Sequence, residues 1–184
     1  MDVKGPFVRK RRDAVLNVVN HLVQPDTEND ILMVSVIERF GRNGNKALGF
    51  CSGWKLKKGA MASTAAPDDN NIVVLGADPH DMAVAVNHLI ENGGGQVVVC
   101  DGEIVEFLPL PVGGICSDDE PEEIARIEKL LSEAANKLGC DLPEPLMYMF
   151  FLPITAIPDY AITDVGVVDC ITLKTFHPVL EENL

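Results

Sequence analysis

The stretch Gly53 to Gly76, GWKLKKGAMASTAAPDDNNIVVLG, decides the fold. NNIVVLG is a β-branched, apolar run of strand length, reading as a strand buried on both faces. GAMAST before it is built of small residues that let neighbouring backbones approach closely. AAPDDN between them combines Pro, Asp and Asn, residues that fix or tolerate turn dihedrals, so the two runs are expected to be strands joined by a polar turn.

Working outward on the N-terminal side, ILMVSVIER (31–39) reads as a central strand, GRNGN (41–45) as a Gly/Asn turn, and KALGFCSGW as an antiparallel return strand. Four strands therefore precede the first long helix. Residues 13–23, DAVLNVVNHLV, place Val15, Val18, Val19, Leu22 and Val23 at helical spacing behind Asp13, which predicts a short amphipathic helix ending before Pro25. The organisation expected is a basic arm with a short helix over 1–30 and one domain over 31–180.

On the C-terminal side Asp78 is a natural N-cap, Pro79 suits the first helical position, and Met82, Ala85, Val86, Leu89 and Ile90 form one stripe before Gly93. VVVC and EIVEFL flank Asp101-Gly102, the dipeptide of a type I′ hairpin. A second helix is predicted in SDDEPEEIARIEKLLSEAANKLG, capped by Asp118 or Asp119, with Ile124, Ile127, Leu131, Ala134 and Leu138 on one face. CDLPEPLMYMFFLPITAIP is punctuated by prolines and is expected as short strands or edge segments, and TDVGVVDCITLKTF as a turn and a last strand. The fold class is α+β: a mixed, largely antiparallel sheet with two main helices.

The 184 residues carry a net charge of −13, with 47% hydrophobic and 23% charged residues, an ordinary globular composition. Residues 1–12 hold Lys4, Arg9, Lys10, Arg11 and Arg12 against Asp2, a solvated basic terminus on an acidic body that should repel nucleic acid. Cys51, Cys100, Cys116, Cys140 and Cys170 form no C-x-x-C pair, and no apolar run reaches 18 residues. Buried thiols in a reducing, cytoplasmic protein with no membrane partner are expected.

Chemistry-bearing residues concentrate in the central turn. Asp68, Asp69, Asn70 and Asn71 can present oxygen ligands to a hard cation or hydrogen bonds to a base edge, and they equally suit a plain turn between strands. Asp68 and Asn71 lead that set. Glu38 with Arg39 reads as a strand-end ion pair, and Ser117 with Asp118 as a helix cap, both secondary candidates for ligand binding. His80 and His88 lie eight apart on the first long helix and read as solvated. Gly93 to Gly95 follow a helix and precede a strand, the reverse of the order a phosphate cradle needs. No nucleophile with a basic partner is visible.

Together, VIERFGRNGNKALGF, KKGAMASTAAPDDNNIVVLG, AVNHLIENGGGQVVVCDGEIVEFLPLPVGGICSD and LGCDLPEPLMYMFFLPITAIPDYAITDVGVVD, in this order, resemble the C-terminal domain of adenine deaminase, in the amidohydrolase superfamily. The blocks GGG-x-VVV-x-DG, LPLP-x-x-G-x-x-SD and TD-x-G-x-VD carry the resemblance, which covers about three quarters of the chain. It implies kinship to an enzyme that hydrolyses adenine to hypoxanthine and ammonia through a metal-activated hydroxide. The divalent metal would lie on a barrel that typically needs about 250 residues and is absent from this sequence. Histidines of the family pattern are replaced here by Phe40, Pro67 and Asn70, while Asp68 and Asn71 are kept.

The expectation is therefore a deaminase-related domain with no catalytic residue, metal or cofactor of its own, acting in assembly or binding a purine-like ligand. The alternative is a subunit completing a deaminase with a separately encoded amidohydrolase barrel, and a third is a purely structural remnant. A face that contacts the barrel in the parent architecture would have to be covered by a partner barrel or, in a homo-oligomer, by another copy.

Overall fold

The computed structural model describes residues 1–67 and 69–179. Elements follow in the order β1 (Asp2–Gly5), β2 (Val8–Lys10), β3 (Val18–Val19), β4 (Leu22–Val23), β5 (Leu32–Ile37), β6 (Lys46–Cys51), β7 (Ala60–Ser63) and β8 (Ile72–Gly76). There follow α1 (Pro79–Glu91), β9 (Gly95–Cys100), β10 (Glu103–Pro109), α2 (Pro121–Lys137), α3 (Pro145–Phe150), β11 (Tyr160–Thr163), β12 (Gly166–Asp169) and β13 (Lys174–Phe176). The α+β class holds: a six-stranded antiparallel sheet, order β10-β9-β7-β8-β5-β6, forms the frame.

Alternation along these strands serves two cores. Val34, Val36, Met61, Val73, Leu75 and Val98 face one side, where α2, α3 and the small sheet β11-β12-β13 pack. Met33, Ala62, Ile72, Val74, Val97 and Val99 face the other, where Met82, Ala85, Val86 and Leu89 of α1 meet them. Burial on both faces explains the unbroken apolar runs of β8 and β9. α1 lies over β7, β8 and β9 and leaves the outer part of the same face, along β5 and β6, uncovered.

α1 is capped as its sequence implies: an Asp78 carboxylate oxygen accepts from the backbone N–H groups of His80 (2.7 Å) and Asp81 (3.0 Å). Asp81, itself buried, accepts from the N–H groups of Asp101 (3.2 Å) and Gly102 (2.7 Å), pinning the β9–β10 turn to the helix. That turn has positive φ at both Asp101 and Gly102, as type I′ demands. α2 differs in detail. Its N-cap is Glu120 with no side-chain bond, because Ser117 and Asp119 bond each other instead.

Three segments depart from the sequence reading. Residues 13–23 form no helix: β3 and β4 pair through Asn20 and His21, both at positive φ, a two-residue hairpin loop. The valines sit at helical intervals by coincidence; β-branching and an Asn turn favour the hairpin, and Val18, Val19 and Leu22 remain exposed. The proline-rich segment contains α3, because Pro145 occupies its first turn and the other prolines bracket the helix without entering it. The C-terminal segment supplies three strands where one was expected, since Asp164-Val165 makes a further hairpin.

The basic arm is also not uniformly solvated. Arg9 is 1% exposed, and its guanidinium donates to the carbonyls of Phe151 (2.8 Å), Leu152 (3.0 Å), Ile154 (2.8 Å) and Ile157. Inward alternation in β2 delivers it to carbonyls of the turns that follow α3, three of which also accept a backbone N–H. Lys10 adds an ion pair to Asp159 at 2.6 Å.

The five thiols are free, with Cys116 exposed and Cys51, Cys100 and Cys140 buried. Burial pushes Cys51 up to about 12 and Cys140 to about 11. At pH 8, native thiol titration should modify Cys116 quickly and leave Cys51 and Cys140 untouched. A raised folded-state pKa keeps its stabilising contribution below the unfolded thiol value of about 8.5 and loses it as pH climbs toward the folded value. Urea midpoints should therefore fall between pH 8.5 and 11, with a shallower fall in Cys51→Ala. Arg9→Met should lose about 3 kcal/mol in urea unfolding, with Arg9→Lys intermediate because an ammonium cannot span so many carbonyls.

Candidate functional site

The end of the sheet at which β5 stops and β8 starts gathers most of the sequence candidates. β5 and β8 pair through Ile37 and Ile72, so Glu38 and Asn71 leave adjacent strands side by side, with Arg39 and Asn70 beyond them. Asp68, which belongs to the same turn, lies outside the described residues. Ser117 is on the loop before α2, partly buried, and bonds Asp119 rather than capping the helix.

Glu38 and Arg39 do not form the expected ion pair. The Glu38 carboxylate accepts from the N–H groups of Phe40 (2.6 Å), Arg42 (3.1 Å), Asn43 (3.4 Å) and Gly44 (3.3 Å), organising the β5–β6 turn around itself. Desolvation opposes its charge, yet these amides hold its carboxyl below the usual range. Arg39 points the other way: Nε donates to the Asn70 carbonyl and a terminal nitrogen to the Gly113 carbonyl, each at 2.6 Å. Its guanidinium lies 4.6 Å from the centre of the Phe40 ring, and Arg42 lies 5.6 Å from the same ring.

Arg39 therefore ties the 66–71 turn to the loop after β10. The close approach depends on Gly114, where a Cβ would fall 2.6 Å from the guanidinium. Thr64, at the start of the same turn, donates to the Gly114 carbonyl and accepts from Gly95 N–H at 2.8 Å. Gly94 in turn allows no Cβ, because one would stand 2.4 Å from Gly114 Cα. The triple glycine is thus a packing joint, with its strand-side amide taken by a threonine.

Asn71 is 4% exposed; its backbone N–H and Nδ2 donate to the Asp69 carboxylate at 3.1 and 2.9 Å, while its buried Oδ1 has no hydrogen-bond partner among the described residues. Asn70 adopts positive φ and donates its N–H to the Ala66 carbonyl at 2.7 Å. The candidate carboxylates and amides are engaged largely by one another and by the backbone, an arrangement that builds a turn. Sequence reasoning missed the Arg39 clamp because neighbouring opposite charges suggest a pair, whereas beyond the end of β5 Glu38 turns to the 40–44 amides and Arg39 to the Asn70 and Gly113 carbonyls.

The candidate carboxylates described at this end of the sheet are already engaged. Glu38 is occupied by four amides, Asp69 by Asn71, and the His88 ring packs edge-on against Phe107 at 4.5 Å with Nε2 buried. Among the described residues no group of three His, Cys, Asp or Glu could hold an ion.

The larger opening is elsewhere. A groove of about 1010 Å³ lies on the sheet face that α1 leaves uncovered, floored by Met33, Ser35 and Ile37 of β5 and Leu48 and Phe50 of β6. The β3–β4 hairpin and β13 form its rims. Among the described residues, Lys46, His21 and His177 line it and no Asp or Glu does. No helix among the described residues is long and apolar enough to cross a membrane.

A family model described as adenine deaminase C-terminal domain matches residues 7–174. The chain is 79% identical over 183 residues to "Adenine deaminase 1" of Desulfotalea psychrophila, covering 100% of itself and 31% of that protein. It is 58% identical over 173 residues to "Adenine deaminase 4" of Rhizobium meliloti, covering 94% and 29%, and 41% identical over 171 residues to an "Adenine deaminase" of Clostridium botulinum, covering 93% and 28%. The chain spans about three tenths of the length of these curated relatives.

Arg39→Ala should cost about 1–3 kcal/mol by freeing two carbonyls. Amide exchange should quicken in the 66–71 and 112–116 turns and stay unchanged in β7–β9; uniform acceleration would show that Arg39 is no local clamp.

Proposed function

The chain belongs to the adenine deaminase C-terminal domain family, and on that premise we propose that it is an accessory domain of adenine deamination without independent catalysis. It acts by assembling with a metal-bearing catalytic barrel supplied from outside these residues, whether as a further part of the same polypeptide or as a separate subunit. The observation that carries this reading is the contrast between its two surfaces. The polar sheet end has its Glu38, Asp69 and Asn71 groups committed to turns, whereas the open groove is apolar and, among the described residues, lined by no carboxylate. The first can build structure, and the second can receive another surface. That the relatives named adenine deaminase are about three times longer supports the same division of labour.

A second reading, binding of a purine-like ligand at the polar sheet end, draws on one feature. The half-exposed Phe40 ring, with Arg39 and Arg42 against it, is a stacking platform for a planar heterocycle. The neighbouring Asn71 Oδ1 is an acceptor that lacks a donor among the described residues.

The purified chain incubated with adenine and Zn²⁺, Mn²⁺ or Fe²⁺ should release no ammonia above the protein-free rate, and turnover would sink the accessory reading. In calorimetric titrations with adenine and hypoxanthine, heat of binding that Phe40→Ala abolishes would establish the second reading; no heat at millimolar ligand removes it.

A further inference from the structure

We propose that the groove between α1 and the β5–β6 face is the seat of the part of an adenine deaminase chain that precedes this domain. The inference rests on the accessory reading and adds to it the surface through which assembly occurs.

Three observations converge on this occupant. The first is the direction from which the rest of the polypeptide arrives in the longer relatives. The chain matches 31% of the Desulfotalea protein under a C-terminal domain description, so about two thirds of that protein reaches the domain at the position of Met1. Here the Met1 amino group donates to the Phe50 carbonyl at 2.9 Å, and Ser52 N–H donates to the Met1 carbonyl at 2.9 Å. The preceding polypeptide is therefore delivered to the edge of β6, the strand whose Leu48 and Phe50 side chains floor the groove.

The second is incomplete burial. Leu48, in the middle of β6, is 47% exposed, and Leu22 and Phe176 stand exposed on the two rims. Opposite Leu48 across the β5–β6 ladder is Ser35, which satisfies its hydroxyl on the Ala47 carbonyl, leaving the floor with an apolar outlook. An apolar floor between two apolar rims is the form of a half-interface.

The third is charge. The body is acidic, yet among the described residues the lining side chains that can carry a charge are Lys46, His21 and His177. This suits an apolar segment flanked by carboxylates and disfavours a second copy of this acidic chain, whose own groove face would bring the same basic groups into opposition.

The test is thiol labelling. Leu48→Cys and, at the rim, Phe176→Cys are each placed in this chain and at the aligned position of the full-length Desulfotalea relative. Maleimide modification is followed peptide by peptide, with Ile104→Cys on β10, far from the groove, as control. The expected result is rapid labelling of both groove thiols in this chain, at least tenfold slower labelling in the full-length protein, and equal rates for the control. Equal groove rates in the two proteins would overturn the inference, as would slowing at Ile104→Cys alone. Labelling already slow in this chain and restored by dilution would assign the groove to a second copy, which also overturns it. Native-like protection of Cys51 verifies that each variant is folded. Because the readout is labelling and not turnover, failure here removes the surface while the accessory role stands; catalysis by the chain alone removes the role while the labelling rates still decide the surface.

Discussion

The step from β8 to β9 across β7 constrains the rest of the molecule. Both strands pair with β7 in antiparallel fashion and therefore run parallel to each other, which obliges the connection to pass over one face of the sheet. α1 is that connection. Its width covers the three strands it spans, and the small residues Ala60 and Ala62 beneath it allow close seating. Because the crossover is centred on β7, α1 buries Met33 of β5 in its cluster but leaves the outer part of the β5–β6 face open. The same connection that closes one core leaves the neighbouring sheet face open, so the groove follows from topology and not from a local deficiency of packing.

The frame was legible because its signals are local and redundant. IVVLG, VVVC and LMVSVI can only be buried strands, Asp78-Pro79 marks a helix start, and Asp101-Gly102 specifies a turn type. Errors fell where one local signal had to stand alone. The valines of 13–23 fit a helical period, but with no core face to bury, β-branching and the Asn20-His21 turn prevailed. The prolines around α3 looked like breakers until their positions relative to the helix start were fixed.

The candidate site divides in the same way. That Glu38, Asn70 and Asn71 meet could be anticipated, since the β5–β8 pairing juxtaposes them. Whether they remain available for chemistry could not, because the answer depends on amides from the 40–44 turn and on Arg39 reaching Gly113, 74 residues away. Charges adjacent in sequence suggested an ion pair, but each found backbone partners on a different loop. The groove was harder still to anticipate. Its floor strands read as ordinary sheet, and exposure of Leu48 arises from what α1 fails to cover, a property of the assembled domain.

Arg9 has a consequence for how such a domain is made. Its carbonyl partners lie 142 to 148 residues further along the chain. On a ribosome, at about 5–20 residues per second, the β1–β2 hairpin therefore waits on the order of ten seconds before its partner segment is synthesised. The guanidinium stays hydrated meanwhile, and the first strands must be held by the β6 edge alone, through Met1 and Ser52. Closure of the domain is thus a late event in its synthesis, governed by the segment after α3, and a chain cut short before Phe151 would be left with an arginine that has nowhere to dock.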